Sequence, residues 1–146
     1  DRISGIIIDA RSIYHVPAMV PKVFNESDKL IYGPRHYTRS RSVNKGPIGY
    51  AHSIEDLNVV RRVGNSPILI DAVRSDDTIN LTVSNFDAEK IRDAEKKFGL
   101  LSNCKVIVLL KNIGYKFAYL NDKSICKIDE DNLIPGEYYY YFIPQN

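Results

Sequence analysis

Two aspartates occupy matching positions in two similar apolar runs, and their carboxylates are the groups in this sequence best placed to do chemistry. The run Ile6–Arg11 reads IIIDAR and the run Ile68–Arg74 reads ILIDAVR, so Asp9 and Asp71 each follow three branched apolar residues. Many α/β enzymes place catalytic or metal-binding carboxylates late in such strands. If the two strands are neighbours, the paired carboxylates could bind Mg²⁺ or share a proton.

The same aspartates also have a purely structural interpretation. Arg11 lies close after Asp9 and Arg74 close after Asp71, so each carboxylate can form an ion pair at the rim of a sheet. A metal site usually needs a third oxygen ligand, and no spacing in the sequence supplies one. We therefore favour rim ion pairs and predict no catalytic residue, no bound metal and no cofactor. A metal-dependent hydrolase or phosphoryl-transfer enzyme that uses Asp9 and Asp71 is the alternative.

A basic segment, Arg35–Lys45, is the second candidate for chemistry. Its arginines Arg35, Arg39 and Arg41 could bind an anion such as phosphate. The net charge of the chain is only +2, and Tyr37 is the one aromatic residue of the segment, which offers no series for stacking bases. We predict a solvated loop or short helix here and do not expect nucleic acid as a partner; an anion or nucleic-acid binder is the second alternative.

The remaining polar residues form no recognisable catalytic motif. His15, His36 and His52 lie in polar, loop-like segments without metal-ligand spacing, which predicts solvent-exposed imidazoles. No P-loop, Gly-x-Ser-x-Gly or Gly-x-Gly-x-x-Gly pattern is present. A nucleophile and its base can come from distant segments, so these absences favour a non-enzyme without excluding an enzyme.

The elements that would position these residues indicate an α/β fold, with α+β as the alternative. Apolar runs predict strands at Gly5–Ala10, Ile68–Val73, Ile79–Val83 and Val106–Leu110. An Asp-rich turn joins the second and third runs and predicts a β-hairpin. A helical pattern between the third and fourth predicts a β-α-β crossover. We expect a mixed β-sheet in a single globular domain of residues 1–146.

Two helices are predicted to pack on this sheet. The longer covers residues 85–98, is capped by Ser84 or Asn85, and is closed by Gly99. The shorter covers residues 54–63.

The shorter helix is predicted to begin behind Ser53, followed by the acidic residues Glu55 and Asp56. It would place Leu57, Val60 and Val63 on one helical face. We expect that face to meet the sheet.

Shorter strands are predicted towards both ends of the chain. Lys22–Phe24 and Leu30–Tyr32 flank a polar turn and predict a small hairpin. The segment 137–143 (EYYYYFI) predicts a final Tyr-rich strand. Tyrosine is enriched at protein interfaces, so its tyrosines are interaction candidates beside the three arginines. These tyrosines are Tyr138, Tyr139, Tyr140 and Tyr141.

The cysteines and the termini bear on the cellular compartment. Cys104 stands before an apolar strand and predicts a free, packed thiol; a Cys104–Cys126 disulfide in an oxidising compartment is the alternative. No apolar run approaches the roughly 20 residues needed to span a bilayer. The chain opens Asp-Arg-Ile-Ser-Gly without a leader pattern or an initiator Met, which is compatible with a leader already removed.

Several segments in this order resemble an exported bacterial envelope domain. The opening Ser4–Arg11 (SGIIIDAR) is followed by Pro17–Val23 (PAMVPKV) and Leu30–Gly33 (LIYG). Later come Val63–Pro67 (VGNSP) and Val83–Ala88 (VSNFDA). The matching residues form strands and turns, so the resemblance concerns the fold more than an activity.

The resemblance covers Ser4 to Leu110 and leaves out the Tyr-rich tail. Domains of this kind accompany envelope lipoproteins and flagellar accessory proteins, which implies a periplasmic or outer-membrane-associated location and a scaffolding role. The segment Arg11–Tyr14 departs from the pattern, because a glycine-bearing turn is usual there. The resemblance supplies no catalytic residues.

These observations predict a non-enzymatic cell-envelope module that binds other envelope proteins or a second copy of itself. Binding would use sheet-edge pairing or the Tyr-rich strand. Contact with a membrane would require a leader or anchor absent from this chain. The residues themselves leave a cytoplasmic location open.

Overall fold

The computed structural model describes residues 2–18, 20–37 and 46–111, and beyond them the backbone of three strands. Within these parts it contains ten strands, two α-helices and one short 3-10 turn. In chain order they are β1 (Gly5–Asp9), β2 (Val23–Asn25), β3 (Leu30–Tyr32), the 3-10 turn (Pro34–His36), β4 (Gly49–Ala51), α1 (Leu57–Val63), β5 (Pro67–Arg74), β6 (Leu81–Val83), α2 (Asn85–Phe98), β7 (Val106–Leu109), β8 (Lys116–Leu120), β9 (Ile125–Ile128) and β10 (Tyr138–Phe142).

A mixed seven-stranded sheet carries the fold, with the strand order β3-β2-β6-β5-β1-β7-β4. Strands β5, β1, β7 and β4 are mutually parallel. Strand β6 runs antiparallel to β5, β2 runs parallel to β6, and β3 is antiparallel to β2. The α/β prediction is confirmed, and so are both predicted hairpins.

The helical connection from β6 to β7 is present but is not a parallel crossover. Because β6 is antiparallel to β5 while β5, β1 and β7 are parallel, β6 and β7 run in opposite directions. The right-handed rule for parallel β-α-β units therefore does not govern it. A parallel crossover through a helix is formed by β4-α1-β5, in which α1 lies over the strands between β4 and β5.

The consecutive isoleucines of β1 place apolar side chains on both faces of the sheet, because side chains alternate along a strand. Ile6 and Ile8 join the core cluster that contains the buried face of α2. Ile7 joins the cluster on the opposite face, together with Val59 and Val63 of α1. The two helices therefore cover opposite faces, and β1 is buried between them.

Helix α2 agrees with its prediction in both bounds and caps. The Ser84 hydroxyl accepts a hydrogen bond from the Asp87 backbone N–H at 3.0 Å. Gly99 ends the helix in the left-handed conformation, with φ of 64°. Its buried residues are Ala88, Ile91 and Ala94.

Helix α1 is shorter than predicted and presents a different face to the sheet. Its N-cap is Asp56, whose carboxylate accepts from the Asn58 N–H at 2.8 Å, and so the helix begins at Leu57 rather than at residue 54. Val59 and Val63 are buried, whereas Leu57 and Val60 are exposed. The predicted face of Leu57, Val60 and Val63 was therefore wrong at two positions, because the sheet contacts the side of the helix that carries Val59.

The C-terminal strands form a second, three-stranded antiparallel sheet with the order β10-β8-β9. The predicted Tyr-rich strand is present as β10 at one edge of this sheet, paired with β8. Neither helix in the described parts of the chain has both the length and the apolarity that crossing a membrane requires.

Candidate functional site

Asp9 and Asp71 lie side by side. Strands β1 and β5 pair in parallel, and their register sets Asp9 opposite Asp71 at the carboxyl end of β1. In-register neighbours direct their side chains to the same face of a sheet. The sequence echo therefore does bring the two carboxylates together, on the face that carries α1.

The two aspartates differ in their ion pairs. The Arg11 guanidinium donates to both oxygens of Asp9, with Nη2–Oδ2 at 2.8 Å and Nε–Oδ1 at 3.0 Å. These hydrogen bonds lower the pKa of Asp9 and raise that of Arg11. Asp71 has no ion pair among the described residues, because Arg74 lies beside Asp76 instead. The rim ion pair is confirmed for Asp9, and the predicted Asp71–Arg74 pair was wrong.

The carboxylate pair does not extend into a metal site within the described residues. They hold no group of three histidine, cysteine or carboxylate side chains able to hold a metal ion. Glu55 is close enough to Arg11 to favour its charged form, but its carboxylate hydrogen-bonds the hydroxyl of Ser53. A cation at Asp9 would therefore have to displace the Arg11 guanidinium from both oxygens.

Neither helix of the described residues covers the face of β5 that carries Asp71. Leu69 and Val73 flank Asp71 on this face and are 54% and 44% exposed. Ile7, opposite Leu69 in β1, is only 2% exposed. Helix α1 packs on β1, β7 and β4, so it stops short of β5.

The exposed side of α1 adds one apolar residue to this surface. Arg62 faces β4, because a Cβ added at Gly49 would lie 2.5 Å from its Nε. Val60 lies about 200° around the helix from Arg62 and therefore faces the β5 side. It is 42% exposed, whereas Leu57, which is 66% exposed, points away from the sheet. We call the surface of Val60, Leu69 and Val73 the apolar strip.

The predicted arginine patch is seen in part. Arg35 lies in the 3-10 turn and lines a cavity of about 290 Å³ with Lys29 and Arg92. Arg39 and Arg41 lie outside the described residues. The tyrosines of β10 are placed by their backbone at the edge of the three-stranded sheet.

The predicted exposure of the histidines was wrong. His15 is largely buried, and burial lowers its pKa to about 4. The Thr78 carbonyl is near enough to oppose that shift, although neither ring nitrogen makes a well-formed hydrogen bond within the described chain. Nδ1 of His52 lies 2.9 Å from the Leu110 carbonyl oxygen. His36 is half-buried, which lowers its pKa as well.

Cys104 is a free and buried thiol, as predicted. The side chain of Cys126 lies outside the described residues. Sequence reasoning missed the apolar strip and the participation of Lys29 and Arg92 in the cavity, because both depend on how distant segments pack.

The comparisons with known proteins agree with the boundaries of the seven-stranded sheet. No curated protein matches the chain. Residues 5–112 match the family described as Treponema pallidum Tp0624, second domain. The matched segment contains β1 to β7 and both helices, and leaves out the three-stranded sheet. The resemblance to a bacterial domain is thereby confirmed over almost the predicted range. The chain belongs to the family of the second domain of Treponema pallidum Tp0624.

Proposed function

We propose that this chain is a protein-binding module of a bacterial cell-envelope protein, and that its partner contacts the apolar strip. The observation that carries the proposal is the open face of β5. Strand β5 pairs in parallel with β1, whose residue Ile7 is 2% exposed, yet Leu69 and Val73 on the same face of β5 are about half exposed. Exposed apolar patches of this kind mark interaction sites.

The charge at the centre of the strip specifies the partner's chemistry. Asp71 is exposed between Leu69 and Val73 and has no ion pair among the described residues, while neighbouring Asp9 is neutralised by Arg11. A complementary surface would present apolar side chains around a lysine or arginine that reaches Asp71. We therefore expect a protein partner with a basic residue inside an apolar patch.

Sheet-edge pairing is a weaker route on the seven-stranded sheet. Its edge strands β3 and β4 have three residues each, and short edge strands are poor templates for pairing. Strand β10, an edge strand of five residues, offers a longer backbone edge in the other sheet. The apolar strip, whose side chains are described, is the surface on which the proposal rests.

The proposed envelope location rests on the resemblance of Ser4 to Leu110 to exported envelope domains, and the family match supports a bacterial domain. We propose a periplasmic or outer-membrane-associated site of action. Envelope lipoproteins and flagellar accessory proteins are the first partners to test.

The test begins with a photo-crosslinking amino acid at position 69, introduced in the bacterial host. The matched control position is 86, where Phe86 is 73% exposed on the first turn of α2, the helix on the opposite sheet face. The protein captured at position 69 alone is then purified, and its Kd is measured for the wild-type chain and for three variants. Leu69→Asp and Asp71→Lys should each weaken binding at least about tenfold, and Phe86→Asp should leave it unchanged.

Two results would overturn this proposal. Equal affinity of Leu69→Asp and the wild type, with matching thermal unfolding curves, would remove the strip from the interface. A concentration-dependent dimer that Leu69→Asp dissolves would assign the strip to a second copy of the chain instead. Sedimentation of the wild-type chain and of Leu69→Asp distinguishes this dimer from a complex with a different protein.

The paired aspartates support a second candidate, a metal-dependent hydrolase or phosphoryl-transfer enzyme. Its specific support is the in-register placement of Asp9 and Asp71. Addition of Mg²⁺ or Mn²⁺ would then raise Tm, and both Asp9→Asn and Asp71→Asn would abolish the rise. Because Arg11 already holds both oxygens of Asp9, we expect no change in Tm.

A further inference from the structure

A second surface, on the face of the sheet that carries α2, combines a cavity with an excess of positive charge. The cavity has a volume of about 290 Å³ and lies between β3, the 3-10 turn and α2. This volume is close to the lower end of the range for small-molecule sites. It is lined by Lys29, Leu30, Ile31, Arg35, His36, Arg92, Glu95 and Leu101.

The charges that line the cavity do not cancel. Lys29 and Arg35 have no ion pair with any described residue, and Arg92 pairs with Glu89 on the exposed side of α2. Within the described part of the chain, Arg35 makes a long hydrogen bond, from its Nη2 to the Leu30 carbonyl at 3.5 Å. Three cations thus face a cavity with one carboxylate, that of Glu95.

Glu95 already serves as an acceptor for the turn that follows α2. Its Oε1 accepts from the Leu101 N–H at 2.9 Å and lies 3.5 Å from the Ser102 nitrogen. Since this carboxylate is occupied in holding the turn, it does not pair with the arginines of the cavity. Because Glu89 pairs with Arg92, the lining keeps a net charge of about +1, carried by Lys29 and Arg35 against Glu95, and a cleft with an excess of one sign of charge concentrates oppositely charged ligands.

The donors suit an oxyanion with several acceptor oxygens. The planar guanidinium of an arginine matches phosphate geometry, and a lysine adds a point charge. Nδ1 of His36 lies 3.0 Å from the Gly33 nitrogen and 3.3 Å from the Gly33 carbonyl oxygen, so this ring nitrogen contacts the backbone. Leu30, Ile31 and Leu101 supply apolar contacts beside these donors.

The geometry points to this cavity as a binding site for a small phosphate-bearing molecule, with the phosphate held by Lys29, Arg35 and Arg92. The three cations come from the β2–β3 turn, the 3-10 turn and α2, so the chain brings them together only when it is folded. A compact cluster of three cations in an open cleft suits one phosphate group rather than an extended nucleic-acid backbone. The site is independent of the apolar strip, which lies on the face that carries α1.

Calorimetric titrations with inorganic phosphate and with glycerol phosphate, at fixed ionic strength near physiological salt, test the inference. Glycerol phosphate binding more tightly than inorganic phosphate would identify the source as an organic phosphate, and the reverse order would identify the free ion. Either ligand should saturate one site with a Kd below about 10 mM.

Arg35→Gln and Arg92→Gln should each weaken binding about tenfold or more. Arg61→Gln, which removes an exposed arginine of α1, is the matched control and should change nothing.

Thermal unfolding of each variant establishes that the fold is retained, and backbone amide NMR shifts locate the ligand. The shifts should concentrate at His36 and Leu101. Three outcomes would refute the site: no saturable binding of either ligand, equal affinity in all three variants, or a single-stranded oligonucleotide that binds more tightly than glycerol phosphate at the same salt. The last outcome would instead assign the arginines to nucleic acid.

Discussion

Strands β1 and β5 are neighbours with nearly the same sequence, and they differ in what covers them. Both carry three branched apolar residues before Asp-Ala, and they pair in register from Gly5 opposite Pro67 to Asp9 opposite Asp71. Ile7 is buried beneath α1, whereas its partner Leu69 is about half exposed. The same pattern of residues therefore forms a covered strand in one place and a strand with an exposed apolar face in the next.

The difference arises from the position of α1 on the sheet rather than from the strands themselves. Gly5 lets α1 approach β1 closely, since a Cβ at this position would lie 2.4 Å from the Cβ of Val63. The helix has seven residues and sits over β1 and β7, so β5 lies beyond its edge. Coverage of a strand is thus decided by a helix from a different part of the chain.

The largest expected effect compares the apolar partners of the two strands. Ile7→Ala should lower the free energy of unfolding by about 2–5 kcal/mol, because it leaves a cavity in a packed core. Leu69→Ala should change it by less than about 1 kcal/mol, because solvent fills the space. Urea unfolding of both variants measures the contrast. Equal losses would mean that the face of β5 is covered in solution.

The second expected effect concerns the segments that follow β1 and β5. These segments meet where the Val16 N–H donates to the Thr78 carbonyl at 2.7 Å. His15 is buried there as a neutral ring, with its pKa lowered to about 4; Thr78 and Asp77 oppose the shift. The folded state binds this proton less readily than the unfolded chain. Stability is therefore complete above pH 6.5 and falls as the pH drops towards 4, by up to about 3 kcal/mol.

Urea unfolding between pH 7 and pH 4.5 measures this loss, and His15→Gln is the variant that should remove most of it. His36, whose pKa is also lowered by burial, should retain a smaller dependence of the same sign. An unchanged pH profile in His15→Gln would show that the ring is hydrated or hydrogen-bonded in solution.

The third expected effect tests whether the close packing of α1 on β1 stabilises the fold. Gly5→Ala places a methyl group against the Cβ and backbone of Val63, which is not a flexible side-chain end, so the helix must shift. We expect a loss of about 1–3 kcal/mol, the usual range for overpacking. Pro67→Ala, at the paired position of β5, should have a smaller effect. Thermal unfolding compares the two variants. Equal stability would show that the close approach of α1 at Gly5 is not what keeps β1 covered.

The sequence predicted elements whose signals are local. Ser84 and Gly99 marked the ends of α2, and the Asp-rich turn marked the β5–β6 hairpin. It did not predict the start of α1, because Ser53 and Asp56 are both acceptable caps and only the folded chain selects Asp56. Periodicity likewise could not show which side of α1 meets the sheet.

The candidate sites show the same limit. The echo of Asp9 and Asp71 indicated that their carboxylates would meet if the two strands were neighbours, and the folded chain makes them neighbours; Arg11 lay near enough in sequence to identify its partner. Arg92 and Lys29, in contrast, are more than 60 residues apart by their numbers and share a cavity only through the packing of α2. The exposure of Leu69 could not be predicted, because an apolar run carries no information about a helix that stops short of it.

The smallest expected effect separates the two aspartates by their ion pairs. Asp9→Asn removes the acceptor of Arg11 at a partly exposed site, so it should cost about 1 kcal/mol or less at neutral pH. The pKa of Asp9 is lowered in the folded state, so this contribution is present above the ordinary value of 3.8 and is lost as the pH falls below it. Asp71→Asn should leave stability unchanged across the same range, since no described cation pairs with it. Urea unfolding of both variants at pH 7 and pH 3 measures the difference. A loss in Asp71→Asn as large as that in Asp9→Asn would show that a cation already neutralises Asp71, and would remove the charge from the surface offered to a basic partner.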